Sequence, residues 1–157
     1  MGRALSAETV AIVKATGPAL QRYGTAISTR MYERLFIYAE ARDMFDMAAQ
    51  HSGEQPRRMA AAILSYAQNI DEMENLTGVV RRMVASHVGA GVEARHYPYV
   101  AEAFLPAIRD VLGEEVATRA VLDAWGEAYW FLADLLIEGE AARYSELPGD
   151  EGGFERV

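Results

Sequence analysis

The sequence predicts an all-α domain, and three observations carry that prediction. Apolar residues recur at helical spacing almost from end to end, no segment alternates apolar and polar residues for long, and glycines divide the apolar runs. Six or seven helices are expected. With 157 residues, 51% of them hydrophobic, the chain can bury a core as one domain without disulfides or a structural metal. It has no cysteine, which excludes disulfide frameworks, thiolate metal sites, thiol nucleophiles and thioether-attached cofactors together.

In chain order, the run Val10, Val13 and Leu20 is broken at Gly17-Pro18, and Ile27, Met31 and Leu35 come after Gly24. Ser52-x-x-Gln55 ahead of Pro56 reads as a capping box opening the helix that carries Met59, Ile63, Tyr66 and Ile70. Past Gly78, the stripe Val80, Met83, Val84 and Val88 runs up to Gly89 and Gly91. Pro98 suits the first turn of a further helix that Gly113 closes. The longest helix is expected from about Val116 to Tyr144, with Val121, Trp125, Leu132 and Leu136 along its inner side. The residues beyond Tyr144 are polar and glycine-rich, so we expect a single domain over 1–144 and a short polar tail over 145–157.

Charge and hydropathy narrow the function classes. No run approaches the roughly 18 apolar residues of a membrane span, and the N-terminus lacks a charged segment followed by an apolar one. A cytoplasmic, soluble protein is the expectation. The net charge is −8 and Lys14 is the single lysine among 15 basic residues, so no basic stripe is available to track a phosphate backbone.

Two of the three histidines flank a glycine-rich turn in VASHVGAGVEARHYPYV. His87 shares the stripe of Val80, Met83, Val84 and Val88 and points inward, where it is either a hydrogen-bonded core histidine or a ligand. His96 precedes Tyr97-Pro98 and reads as a cap at an exposed helix start. Tyr97 begins an inward stripe with Val100, Ala101, Phe104, Leu105 and Ile108, and so faces the same interior as His87. Glu140 lies on the edge of the long helix's apolar side, one turn beyond Leu136. Alone it reads as a solvated acid, but with His87 and Tyr97 it completes a coherent set. Glu93-x-x-His96 has the spacing of a di-iron carboxylate motif, yet such sites need two copies and two further glutamates.

The segments TRMYERLF, MFDMAAQHSGEQPRRM, AQNIDEMENL, SHVGAGVEARHYPYV, VLG and DAWGEAYWFLAD, in that order and spacing, resemble the globin domain of flavohaemoglobins and the single-domain bacterial haemoglobins of the Vitreoscilla type. The resemblance spans roughly residues 8–144. It implies the globin fold around a non-covalent haem b, with His87 as the iron ligand and Tyr97 with Glu140 hydrogen-bonding its remote nitrogen. A carboxylate accepting that N–H raises the basicity of the imidazole and favours oxygen chemistry over mere storage.

On the opposite face the resemblance implies that Tyr32 is the distal tyrosine and Gln55 the distal glutamine, although Gln55 also belongs to the expected capping box. Gln55, Met59 and Ile63 share one helical face, so Met59 overhangs the iron where the family usually has leucine. Phe45 matches the phenylalanine that packs on the porphyrin. The outward Arg81 and Arg82 are either propionate or reductase contacts or an ordinary solvated face.

The implied activity is reversible binding of O2, NO and CO, with dioxygenation of nitric oxide to nitrate. No Gly-x-Gly-x-x-Gly or βαβ pattern occurs beyond Tyr144, so a separate flavin reductase or small reductant is the expected electron source. A homodimer is a further expected partner state. Competing readings are an O2 carrier without turnover, a haem sensor or specialised haem oxidase, and a cofactor-free interaction module, which would be colourless and indifferent to His87→Ala.

Overall fold

The computed structural model describes residues 5–44 and 52–146. The all-α expectation holds: the described residues contain seven α-helices and no strand. They are α1 (Ala7–Ala15), α2 (Gly17–Leu35), α3 (Ala39–Arg42), α4 (Glu54–Gln68), α5 (Thr77–Ala90), α6 (Tyr97–Leu112) and α7 (Arg119–Glu146), with short 3₁₀ turns at Met73–Leu76 and Ala94–His96.

Local chemistry explains the boundaries. Ser6 caps α1 by accepting the Thr9 N–H at 3.1 Å, and Pro18 sits in the first turn of α2, where its missing N–H costs nothing. The expected capping box at Ser52 does not open α4. Its N-cap is Gly53 at φ 80°, a left-handed conformation that glycine adopts freely, and the Gln55 side chain turns elsewhere. Gly91, also at φ 80°, ends α5, and its N–H reaches the Val88 carbonyl while Val92 N–H reaches that of His87. The long helix starts at Arg119 rather than Val116, because Thr118 caps it through the Val121 N–H at 3.3 Å and leaves Val116 exposed. It runs on through Glu146, past the Tyr144 end expected from sequence.

Packing follows the stripes. The α2 helix lies against α4 and α6, while α7 lies against α1, α5 and α6. At the α2–α4 crossing Gly24 faces Ala60, where even a methyl group would stand 3.4 Å from the alanine Cβ. The main core gathers Leu20, Ile27, Met31, Leu35, Phe104 and Trp125, and a second cluster holds Val84, Val88, Tyr97, Ala133 and Leu136. Buried polar tips find partners: the Trp125 indole N–H donates to Thr16 Oγ1 at 3.0 Å and Tyr66 O–H to the Ala128 carbonyl at 2.7 Å. Between α4 and α5 the layers part around a cavity of about 660 Å³ that reaches in from α2 to α7.

Candidate functional site

The cavity wall is mostly apolar, with a minority of polar side chains, which is the composition of a ligand-binding chamber. One polar group lies on the α5 side. His87 lines the cavity, and its Nδ1 lies 2.8 Å from Glu140 Oε2 and 3.1 Å from Tyr97 Oη. Tyr97 O–H donates to the same acid, at 2.7 Å from Oε2 and 2.9 Å from Oε1. Both Tyr97 and Nδ1 therefore address Glu140 as donors, which places the imidazole hydrogen on Nδ1. The other ring nitrogen, Nε2, has no hydrogen bond among the described residues.

Three helices converge to make this triad. His87 comes from α5, Tyr97 from the first residue of α6, and Glu140 from α7, between Leu136 and Tyr144 on the same side of the helix. Glu140 is only 2% exposed, so it is no solvated acid, and its burial is tolerable because two donors meet it. Burial above all, and then the hydrogen bond and charge of Glu140, hold the Tyr97 phenol well above its ordinary pKa, so it remains a donor. Tyr129 O–H donates to the Tyr97 carbonyl and Tyr144 O–H to that of Val92, each at 2.7 Å, which ties α7 to the turn carrying Tyr97.

Gly139, beside Glu140, lets α7 come close enough. A Cβ at that position would stand 2.9 Å from Val84 Cγ2 on α5, well inside contact distance. Sequence reading passed over this glycine. The signal was present, since Gly139 directly precedes Glu140 on a helix expected to be continuous.

Tyr32 of α2 and Gln55 of α4 form a second polar group on the cavity wall. The Gln55 amide Nε2–H donates to Tyr32 Oη at 3.2 Å, and Arg58 Nη2–H donates to Gln55 Oε1 at 2.8 Å. Tyr32 is 2% exposed and stacks on Phe36 with ring centroids 5.5 Å apart. Met59 and Ile63 succeed Gln55 along the same wall, as their spacing predicts. Arg58 and Arg82 both border the cavity, and Arg58 in particular was not singled out by sequence. Phe45 lies outside the described residues.

The reading of His96 as a cap holds, but its expected exposure needs correction. It is 7% exposed, and both ring nitrogens are engaged. The Glu93 backbone N–H donates to Nδ1 at 2.8 Å, completing a capping box, and Nε2 lies 3.0 Å from Glu40 Oε1 on α3. Arg95 pairs with both Glu40 and Glu93, so the charges of this corner satisfy one another. No group of three or more metal-ligating His, Cys, Asp or Glu side chains converges among the described residues.

Comparison with known proteins places these observations in a family. A sequence model described as Globin matches residues 29–136. A flavohemoprotein of Pseudomonas putida is 45% identical over 151 residues, covering 96% of this chain. The chain spans 38% of the length of that relative. Among solved structures, an engineered carbene transferase built on a protein assigned as a nitric oxide dioxygenase, from Rhodothermus marinus, superposes with a TM-score of 0.84 at 45% identity, covering 90% of this chain and 97% of the other. The crystal structure of a flavohemoglobin from Malassezia yamatoensis, with bound FAD and heme, superposes with a TM-score of 0.82 at 30% identity, covering 90% of this chain and 38% of that one.

Proposed function

The chain belongs to the globin family, and we propose that its central cavity holds a haem b, that O2, NO and CO bind there, and that with an electron donor the protein converts nitric oxide and O2 to nitrate. The observation that carries the proposal is the His87 imidazole on the cavity wall, with Nδ1 held by Glu140 at 2.8 Å and Nε2 without a hydrogen bond among the described residues. That donor set fits haem. The chamber, at about 660 Å³, lies within the range that encloses small-molecule ligands, and its walls are mostly apolar, with His87 among the few polar groups that reach it.

When bound, the haem supplies the iron at which gas ligands react and the electron transfer that the reaction needs. Each side chain has a task of its own. His87 Nε2 would hold the iron. Glu140 accepts the Nδ1 hydrogen, fixes the ring's tautomer and orientation, and makes Nε2 a stronger electron donor. Tyr97 donates to Glu140 and so fixes where that acid points.

From α2 and α4, Tyr32 and Gln55 supply polar hydrogens to a mostly apolar wall, and Met59 restricts access beside them. One nitric oxide, one O2 and one electron make one nitrate, so negative charge accumulates on oxygen as the reaction proceeds. The Tyr32 and Gln55 dipoles, fixed in place before reaction, stabilise that charge at little reorganisation cost. The electron is assigned to a separate flavin reductase, the class of partner to which the FAD of the Malassezia yamatoensis protein corresponds. A single domain, with its last helix extending past the expected end at 144 to Glu146, and a cytoplasmic location complete the reading.

Rapid mixing of nitric oxide with the reduced, oxygenated, haem-loaded protein tests it. The expected result is fast consumption with one nitrate per nitric oxide, slowed roughly ten-fold or more in Tyr32→Phe. Reversible O2 binding without nitrate formation would contradict the dioxygenase activity and leave an O2-binding protein.

A further inference from the structure

Arg58 extends the polar side of the cavity by one residue, and its contacts determine which way the Gln55 amide faces. A carboxamide presents an acceptor on one side and a donor on the other, and the two ends have nearly the same shape. Gln55 is half-buried, and its oxygen lies 2.8 Å from Arg58 Nη2. A guanidinium has donors only, so this contact admits the amide oxygen and rejects the amide nitrogen. With the oxygen engaged there, the nitrogen must face Tyr32 Oη, at 3.2 Å.

The guanidinium also has a carboxylate neighbour. Arg58 Nη1 lies 3.6 Å from Glu54 Oε1, one helical turn back on α4, so residues 54, 55 and 58 form a local cluster on that helix. Arg58 also lines the cavity. Without it, the carboxamide loses the contact that distinguishes its oxygen from its nitrogen.

We propose that Arg58 is a positioning residue that sets the polarity of the Gln55 amide, keeping its N–H side toward Tyr32 and the cavity. Arg58 thereby fixes the sign of the field that a bound diatomic ligand meets. This inference rests on the proposed haem binding and deepens it. It assigns ligand discrimination to a residue at the cavity rim as well as to Tyr32 and Gln55.

The test uses the haem-loaded, reduced protein with CO as the probe and reads the C–O stretching frequency by infrared. A hydrogen-bond donor near the ligand oxygen lowers that frequency, and an acceptor raises it. Arg58→Met is expected to raise the frequency and to speed O2 release roughly three- to ten-fold, the effect of about one hydrogen bond. In a Gln55→Leu background the same substitution is expected to change neither quantity, because its intermediary is gone.

A shift of equal size in both backgrounds would mean that the guanidinium acts directly by its charge, and would overturn the positioning role. An unmoved frequency in Arg58→Met would overturn it as well, with haem binding intact. A wild-type chain that takes up no haem would overturn the haem reading and this inference together.

Discussion

Glu140 is an acid at 2% exposure, and its position is intelligible only through its two donors. Removing either donor would leave a buried acceptor short of a partner, which is the costly case in protein interiors. Ser28 shows the opposite situation. It is fully buried on α2, and its hydroxyl oxygen is the one buried side-chain polar atom with no hydrogen bond among the described residues. Ser28→Ala removes a desolvated hydroxyl that contributes no bond, so stability should rise by up to about 1 kcal/mol, a shift of a few degrees in thermal midpoint. A lowered midpoint would show that the hydroxyl has a partner after all. The geometry of His87 and Tyr97 was legible in the sequence because each lies in an apolar stripe whose direction the helical period fixes. Glu140 was half legible, placed at the edge of a stripe but not in it. Gln55 stayed ambiguous in the sequence because a capping-box spacing and a cavity face share that residue; the N-cap is Gly53, and the Gln55 side chain lies with Tyr32 on the cavity wall. His96 was read as exposed because the partner of its Nε2, Glu40, is distant in sequence on the short helix α3.

Among the helices, the approach of α7 to α5 decides whether the triad can form. Val84 is buried and β-branched, so it cannot swing aside easily to admit a new methyl group at Gly139. Gly139→Ala should destabilise the protein by about 1–3 kcal/mol, the usual cost of overpacking. Adding Val84→Ala should recover part of that loss, and the coupling is measurable as a double-mutant cycle in denaturant titrations. Strict additivity would indicate that the helices relax apart without strain. The helix count and order were legible from periodicity and glycine breaks. Boundaries were less so, because the start of α7 depends on Thr118 capping rather than on the apolar pattern that continues back to Val116.

For the whole molecule, the α2 and α6 helices are also joined by charge. Asp110 on α6 accepts from Arg30 Nε and Arg34 Nε of α2, each at 2.8 Å, and these guanidinium groups hold its carboxyl below the ordinary carboxylate range. A folded-state pKa below the unfolded value of about 3.9 gives stability that is present above that pH and lost as pH falls through the folded value. Asp110→Asn should therefore lower the thermal midpoint at neutral pH, and the gap from wild type should close as pH is lowered below about 4. A gap that stays constant into that acid range would assign the effect to something other than the ion pairs.

The globin fold brings the two polar groups to the wall of one chamber, and the proposed chemistry depends on what that chamber holds. The most direct measurement is a haem titration monitored by visible absorption of the CO-bound reduced state, in wild type and in His87→Gly with and without added imidazole. Ligation of haem iron by His87 predicts one haem per chain in wild type, loss of the wild-type spectrum in His87→Gly, and its return when imidazole occupies the space left by the side chain. A wild-type chain that takes up no haem, or a His87→Gly chain whose spectrum is unchanged, would contradict it.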